Sequence, residues 1–200
     1  VDFNSKFGTY ILNQSLAAHV EVEIFSRGYF MDKPSVGRPW YEKLENIPID
    51  EIDKKILKEL STNARASTVE LAQKLDLTPR VISYRIKELM KSKIISVFRL
   101  QTDVSKIGMG FYKIIIDLKN NSKEYEDSLK EYCRQLGNVV HYEKKIGPWL
   151  LELEMEVKSF EKANQVMKAM KEKYSDYIKR YDILLIYDEP KGELDITQQL

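Results

Sequence analysis

The chain has 200 residues, and its 32 basic and 31 acidic side chains leave a formal net charge of +1. That length suits two small domains with modest cores, and the charge balance means that any attraction to nucleic acid must be local rather than compositional. No apolar run is long enough to cross a membrane, no signal-peptide pattern appears, and a single cysteine, Cys133, excludes an intramolecular disulfide framework. A reducing cytoplasm fits these features, and Cys133 is expected as a buried structural thiol.

Residues 1–30 contain one apolar strand, Leu16 to Phe25. A lone strand cannot satisfy its backbone hydrogen bonds, so this one is expected to pair with another strand of this chain or of a neighbour. Residues 31–48 read as a linker, broken by Pro34, Gly37, Pro39 and Pro48, with Arg38-Pro39-Trp40-Tyr41 expected to dock on a neighbouring surface.

From Asp50 to Leu100 the pattern predicts three short helices and a basic strand. Ile52, Ile56, Leu57 and Leu60 recur at helical spacing behind a capping Asp50. Ser67 with Glu70 forms a capping-box signature before Val69, Leu71, Ala72 and Leu75. Thr78-Pro79 opens the third helix, an N-cap hydroxyl followed by proline at the first helical position. Ile82, Ile86, Leu89 and Met90 share one face of that helix; Arg80, Ser83, Tyr84, Arg85 and Lys87 lie largely on the other. Between Thr78 and Arg99 stand six basic residues opposed only by Glu88. A helix bearing positive charge and hydrogen-bond donors on one face suits the DNA major groove.

These residues resemble the DNA-binding half of the Lrp/AsnC, or feast/famine, regulator family. The resemblance rests on Asp50, Asp53, Ile56, Leu57, Leu60, Asn63, Ala64, Arg65, Ser67, Leu71, Ala72, Leu75, Leu77, Thr78, Pro79, Val81, Arg85, Ile86, Leu89 and Ile95. Lys93 departs from it, standing where the family has glycine before the wing. A lysine tolerates a left-handed backbone less readily than glycine.

Downstream, Phe111 to Leu118 reads as a strand and Ser122 to Leu136 as a helix with Tyr125, Leu129, Tyr132 and Cys133 inside. Val139 to Ile146 and Trp149 to Val157 read as strands around Gly147-Pro148. Ser159 opens a second helix carrying Phe160, Ala163, Val166, Met167 and Met170, and Asp182 to Tyr187 closes the order β-α-β-β-α-β. The expected fold class is therefore α+β, a winged helix-turn-helix at 49–103 followed by a ferredoxin-like domain of the RAM ligand-binding type at 104–190, with a polar tail at 191–200. The resemblance implies that the second domain dimerises or builds a higher oligomer and binds an amino-acid-like effector.

Lys6-Phe7-Gly8-Thr9-Tyr10-Ile11 also lines up with Lys173-Tyr174-Ser175-Asp176-Tyr177-Ile178, each block preceding an apolar strand. With valine as the first residue, this reads residues 1–30 as the remnant of an earlier ferredoxin-like domain in a tandem-type regulator.

The expected function is sequence-specific regulation of transcription, with double-stranded DNA and a second copy of the chain as partners. Thr78, Arg80, Ser83, Tyr84 and Arg85 are the candidates for bases and nearby phosphates; Lys87, Lys91 and Arg99 are the candidates for phosphate anchoring. Gly147 and Trp149 are the candidates for an effector, although Leu150 occupies the family's aspartate position and cannot accept a hydrogen bond from an α-amino group. No cofactor, catalytic constellation or metal site is expected: His19 and His141 stand far apart in sequence, and Glu152, Glu154 and Glu156 are expected on one exposed strand face. Two alternatives are a tetrapyrrole decarboxylase of related architecture, against which stands the lack of a histidine- and arginine-rich loop, and a sensor or assembly module that no longer reads DNA.

Overall fold

The computed structural model describes residues 17–30, 33–39, 47–98 and 102–187. The chain divides into two compact units, Tyr41–Thr102 with Asp188–Leu200, and Val1–Trp40 with Asp103–Tyr187.

The first unit is built from α1 (Glu51–Thr62), α2 (Thr68–Leu75) and α3 (Pro79–Lys91). Each helix starts where a side chain satisfies an otherwise orphaned amide. The Asp50 carboxylate accepts from the Ile52 and Asp53 amides at 2.9 Å, and Asp53 returns a bond to the Asp50 amide. Ser67 and Glu70 form the expected reciprocal box. The Thr78 hydroxyl accepts from the Val81 amide at 3.4 Å. The sharp turn between α2 and α3 places Asp76 in the left-handed region at φ 54°, where aspartate is among the residues that tolerate it. Ile56, Leu57, Leu60, Leu71, Ala72, Ile82 and Leu89 make the core.

Val69 and Met90, expected inside, are exposed, as they flank the apolar stripes and no fourth element among the described residues covers them. The basic strand expected after α3 is a second correction. Residues 94–98 are irregular, because a strand needs a ladder partner and the described residues supply none. Lys93 takes φ 64°, the left-handed conformation that its position demands.

The second unit contains β1 (Ala18–Phe25), β2 (Gly37–Pro39), β3 (Gly110–Leu118), α4 (Lys123–Leu136), β4 (Val139–Ile146), β5 (Leu151–Val157), α5 (Phe160–Lys173) and β6 (Ile178–Ile186). One antiparallel sheet runs in the order β2-β1-β4-β5-β3-β6. Its β4-β5-β3-β6 part, with α4 and α5, is the expected ferredoxin-like arrangement. Ile114, Ile116, Leu151, Leu153 and Met155 pack on Leu129, Cys133, Ala163, Met167 and Met170, all at most 1% exposed. Cys133 is free, and burial pushes its thiol pKa well up. Phe160, expected in this core, is exposed at the first turn of α5.

The pairing partner required by β1 is β4. The first copy of the short repeat, Lys6 to Ile11, lies outside the described residues. Inside the expected linker, β2 pairs with β1 through Glu23↔Pro39 and Phe25↔Gly37; proline is accommodated because β2 is an edge strand. Trp40 and Tyr41 lie outside the described residues. Charged side chains pin β1 from both directions. Glu21 takes a 2.5 Å bond from Lys130 and Glu23 one from Arg134 of α4. Just beyond β1, Arg27 donates to both oxygens of Glu156 on β5 at 2.7 and 2.8 Å, and Tyr29 donates to the same carboxylate.

The glutamates of β5 do share the strand face away from the helices, but they are not exposed. Glu152, Glu154 and Glu156 retain only 2%, 7% and 2% of their surface. Side chains from β3 and β4 and from the segment after β1 cover them: Lys113 and Lys145 at Glu152, Lys113 and His141 at Glu154, Arg27 and Tyr29 at Glu156.

Candidate nucleic-acid interface

The amphipathic pattern of α3 turns Ile82 and Leu89 into the core and leaves a polar face outward. Arg80, Tyr84, Lys87 and Lys91 are exposed, Tyr84 by 62%. Ser83 is half-buried on the same helix. Among the described residues no carboxylate pairs with Arg80, Lys87 or Lys91, so their charge remains available to an external anion. Thr78 is exposed at the start of α3 with its hydroxyl engaged in the cap, which fixes where the helix begins. Arg99 lies outside the described residues.

Arg85 departs from the expectation. Its Nη1 lies 2.5 Å from Asp50 Oδ2 and 3.1 Å from Asp53 Oδ1. Asp50 therefore caps α1 and anchors α3 at once. The Asp53 amide and then Arg85 hold the Asp50 carboxyl below its ordinary pKa, and the two aspartates raise that of Arg85. This clamp orients α3 against α1. Nothing in the spacing of residues 35 apart announces it, although all three side chains belong to the pattern that carried the resemblance.

The candidate effector residues sit at the β4–β5 connection. Gly147 has φ 151°, a conformation open to glycine, and the Trp149 indole donates to Glu152 Oε1 at 2.6 Å. Both residues thus have roles in the turn itself.

Residues 49–96 match a winged helix-turn-helix DNA-binding family. An uncharacterized HTH-type transcriptional regulator of Pyrococcus furiosus is 32% identical over 129 residues, which span 63% of this chain and 82% of the relative. The HTH-type transcriptional regulator LrpC of Bacillus subtilis is 31% identical over 91 residues, 46% of this chain and 62% of its own. The chain belongs to the Lrp/AsnC family of DNA-binding transcriptional regulators. Solved structures share this regulator's fold. Escherichia coli AsnC aligns with a TM-score of 0.61 at 24% identity, over 73% of this chain and 97% of its own. A Neisseria meningitidis transcriptional regulator in complex with L-Met aligns with a TM-score of 0.66 at 18% identity, over 76% and 100%.

As a Lrp/AsnC member the chain is a regulator and not an enzyme, which removes the decarboxylase alternative. No described helix is long and apolar enough to cross a membrane.

Proposed function

We propose that this regulator reads specific DNA sequences by laying α3 in the major groove. The observation that carries the reading is the outward face of α3, where Arg80, Tyr84, Lys87 and Lys91 are exposed and no described carboxylate pairs with the three cations. Arg80, Ser83 and Tyr84 supply donors to base edges, while Lys87 and Lys91, with Arg99, anchor phosphates. Thr78 and Arg85 set the start and tilt of the helix. The regulator acts in the cytoplasm, where its DNA is, as a homodimer or higher oligomer joined through the ferredoxin-like domain; family membership supports this assembly. At the Gly147-Trp149 turn, a small effector finds backbone groups and an indole but no carboxylate at Leu150, so an α-ammonium group gains no ion pair there.

Fluorescence anisotropy on duplex DNA from the protein's own upstream region and on a scrambled duplex, across a salt series, tests the reading. Tighter binding to the native duplex with a steep salt slope is the expected result. Equal, weak binding to both duplexes overturns it.

A further inference from the structure

The fold assembles what the sequence keeps apart. His141 and Glu143 are two positions apart on β4 and so face the same side of the sheet. Glu154 is the direct cross-strand partner of His141 in the β4–β5 ladder. One donor atom from each of these three residues lies within 4.8 Å of the other two. From the next strand, β1, His19 brings its Nδ1 to 3.4 Å from Glu143 Oε2. The only two histidines of the chain, 122 positions apart, thus flank the same buried carboxylate.

Two further features bear on what this cluster holds. Glu143 is 93% buried by its 7% exposure, yet its Oε2 has no hydrogen-bond partner. His19 at 3.4 Å and Lys145 at 3.5 Å approach that oxygen without completing a hydrogen bond. A buried, unsatisfied carboxylate oxygen is costly and calls for a ligand. The charge count points the same way. With both imidazoles neutral, Glu143, Glu152 and Glu154 face Lys113 and Lys145, so three negative charges meet two positive ones and one negative charge is left over.

We propose that His19, His141, Glu143 and Glu154 form a site for one borderline divalent transition-metal ion of the zinc class. Two imidazoles and two carboxylates are a donor set suited to such an ion rather than to magnesium or calcium, which take oxygen donors alone. Metal–donor bonds of about 2.0–2.2 Å require the four donors to close in from their present spacing. His19, with its side chain 48% exposed, is free to turn inward, and solvent reaches the cluster from its side. The ion ties β1 to β4 and β5, so it fastens the N-terminal strand to the ferredoxin-like sheet.

The test uses the full chain without an affinity tag, stripped with a chelator and titrated with cobalt(II) as a spectroscopic stand-in for zinc. One equivalent should bind saturably, give visible d–d bands, and be displaced by zinc. His141→Gln and Glu143→Gln should each weaken binding by at least about 10-fold, and exposed His19→Gln should weaken it too; Asp127→Asn on the far face of α4 should not. Zinc should also slow backbone hydrogen exchange in Ala18–Phe25 of the parent protein and not of the His19→Gln variant. If His141→Gln does not fold, Glu143→Gln and His19→Gln carry the test. Absence of saturable cobalt binding, or binding that Glu143→Gln and His19→Gln leave unchanged, overturns the proposal.

Discussion

The two units of this regulator hold together by different physics. The helix-turn-helix unit is a short local arrangement: among its described residues are three capped helices, seven buried apolar side chains, and a clamp between Arg85 and two aspartates. The ferredoxin-like unit has a larger apolar core on one side of its sheet and, on the other, a layer of buried charges on β4 and β5 that Lys113 of β3 and Arg27 help to pair. The helix-turn-helix unit needs little core because its job is to present a rigid exposed face. The sheet unit recruits a strand from far upstream and secures it with ion pairs.

The small core is the most sensitive point of the molecule. Ile82 is fully buried among only a few apolar neighbours, so Ile82→Ala should cost about 2–5 kcal/mol. Calorimetry should show the helix-turn-helix transition moving down while the sheet transition stays in place. A shift of both transitions together would mean that the units do not melt separately.

Next comes the charge layer. Arg27→Ala removes both bonds to the buried Glu156 carboxylate and should cost about 2–3 kcal/mol. Hydrogen exchange should quicken in β1 and leave α1 to α3 unaffected.

At the reading face, Arg80→Ala should weaken specific DNA binding by about 1–3 kcal/mol without moving the thermal midpoint. Lys91→Ala should mainly reduce the salt slope by about one unit. Arg85→Ala sharpens the distinction: it should lower the midpoint of the helix-turn-helix unit, because Asp50 and Asp53 lose their common partner.

Acid should find the sheet unit through Glu126. Burial alone would raise its pKa, but Lys144 at 2.6 Å, with Lys123 and Lys130 nearby, outweighs burial and holds it below 4.5. A carboxyl depressed in the folded state stabilises above its unfolded pKa, and that contribution fades as pH falls through the lower folded value. The acid limb of the stability profile, measured by urea titration, should be shallower in Glu126→Gln.

The smallest change is a gain. Lys93→Gly relieves a left-handed lysine at φ 64° and should stabilise the helix-turn-helix unit by about 1 kcal/mol, read as a higher midpoint in denaturant.

Much of the fold was legible wherever its causes are local. The Ser67–Glu70 box, the Thr78-Pro79 start of α3 and the strand at Val139–Ile146 appear where spacing and capping chemistry put them. The outward face of α3 was legible for the same reason. The Arg85 clamp was not legible, because helical periodicity says which face a side chain leaves from, not which carboxylate lies within its reach. The β5 glutamates were expected to be exposed and are not: strand alternation placed them together correctly, but their burial depends on Lys113, Lys145, His141 and Arg27 arriving from other segments.

Local sequence is enough for the helices, for most of the strands and their order, and for the polar face of α3. These follow from periodicity and from capping within a few residues. Tertiary packing alone sets β1 beside β4, closes Arg85 onto Asp50, and brings His19 to Glu143. Those outcomes depend on strand order and register in the sheet and on helix packing in the small unit, which bring together residues that the chain separates by dozens of positions.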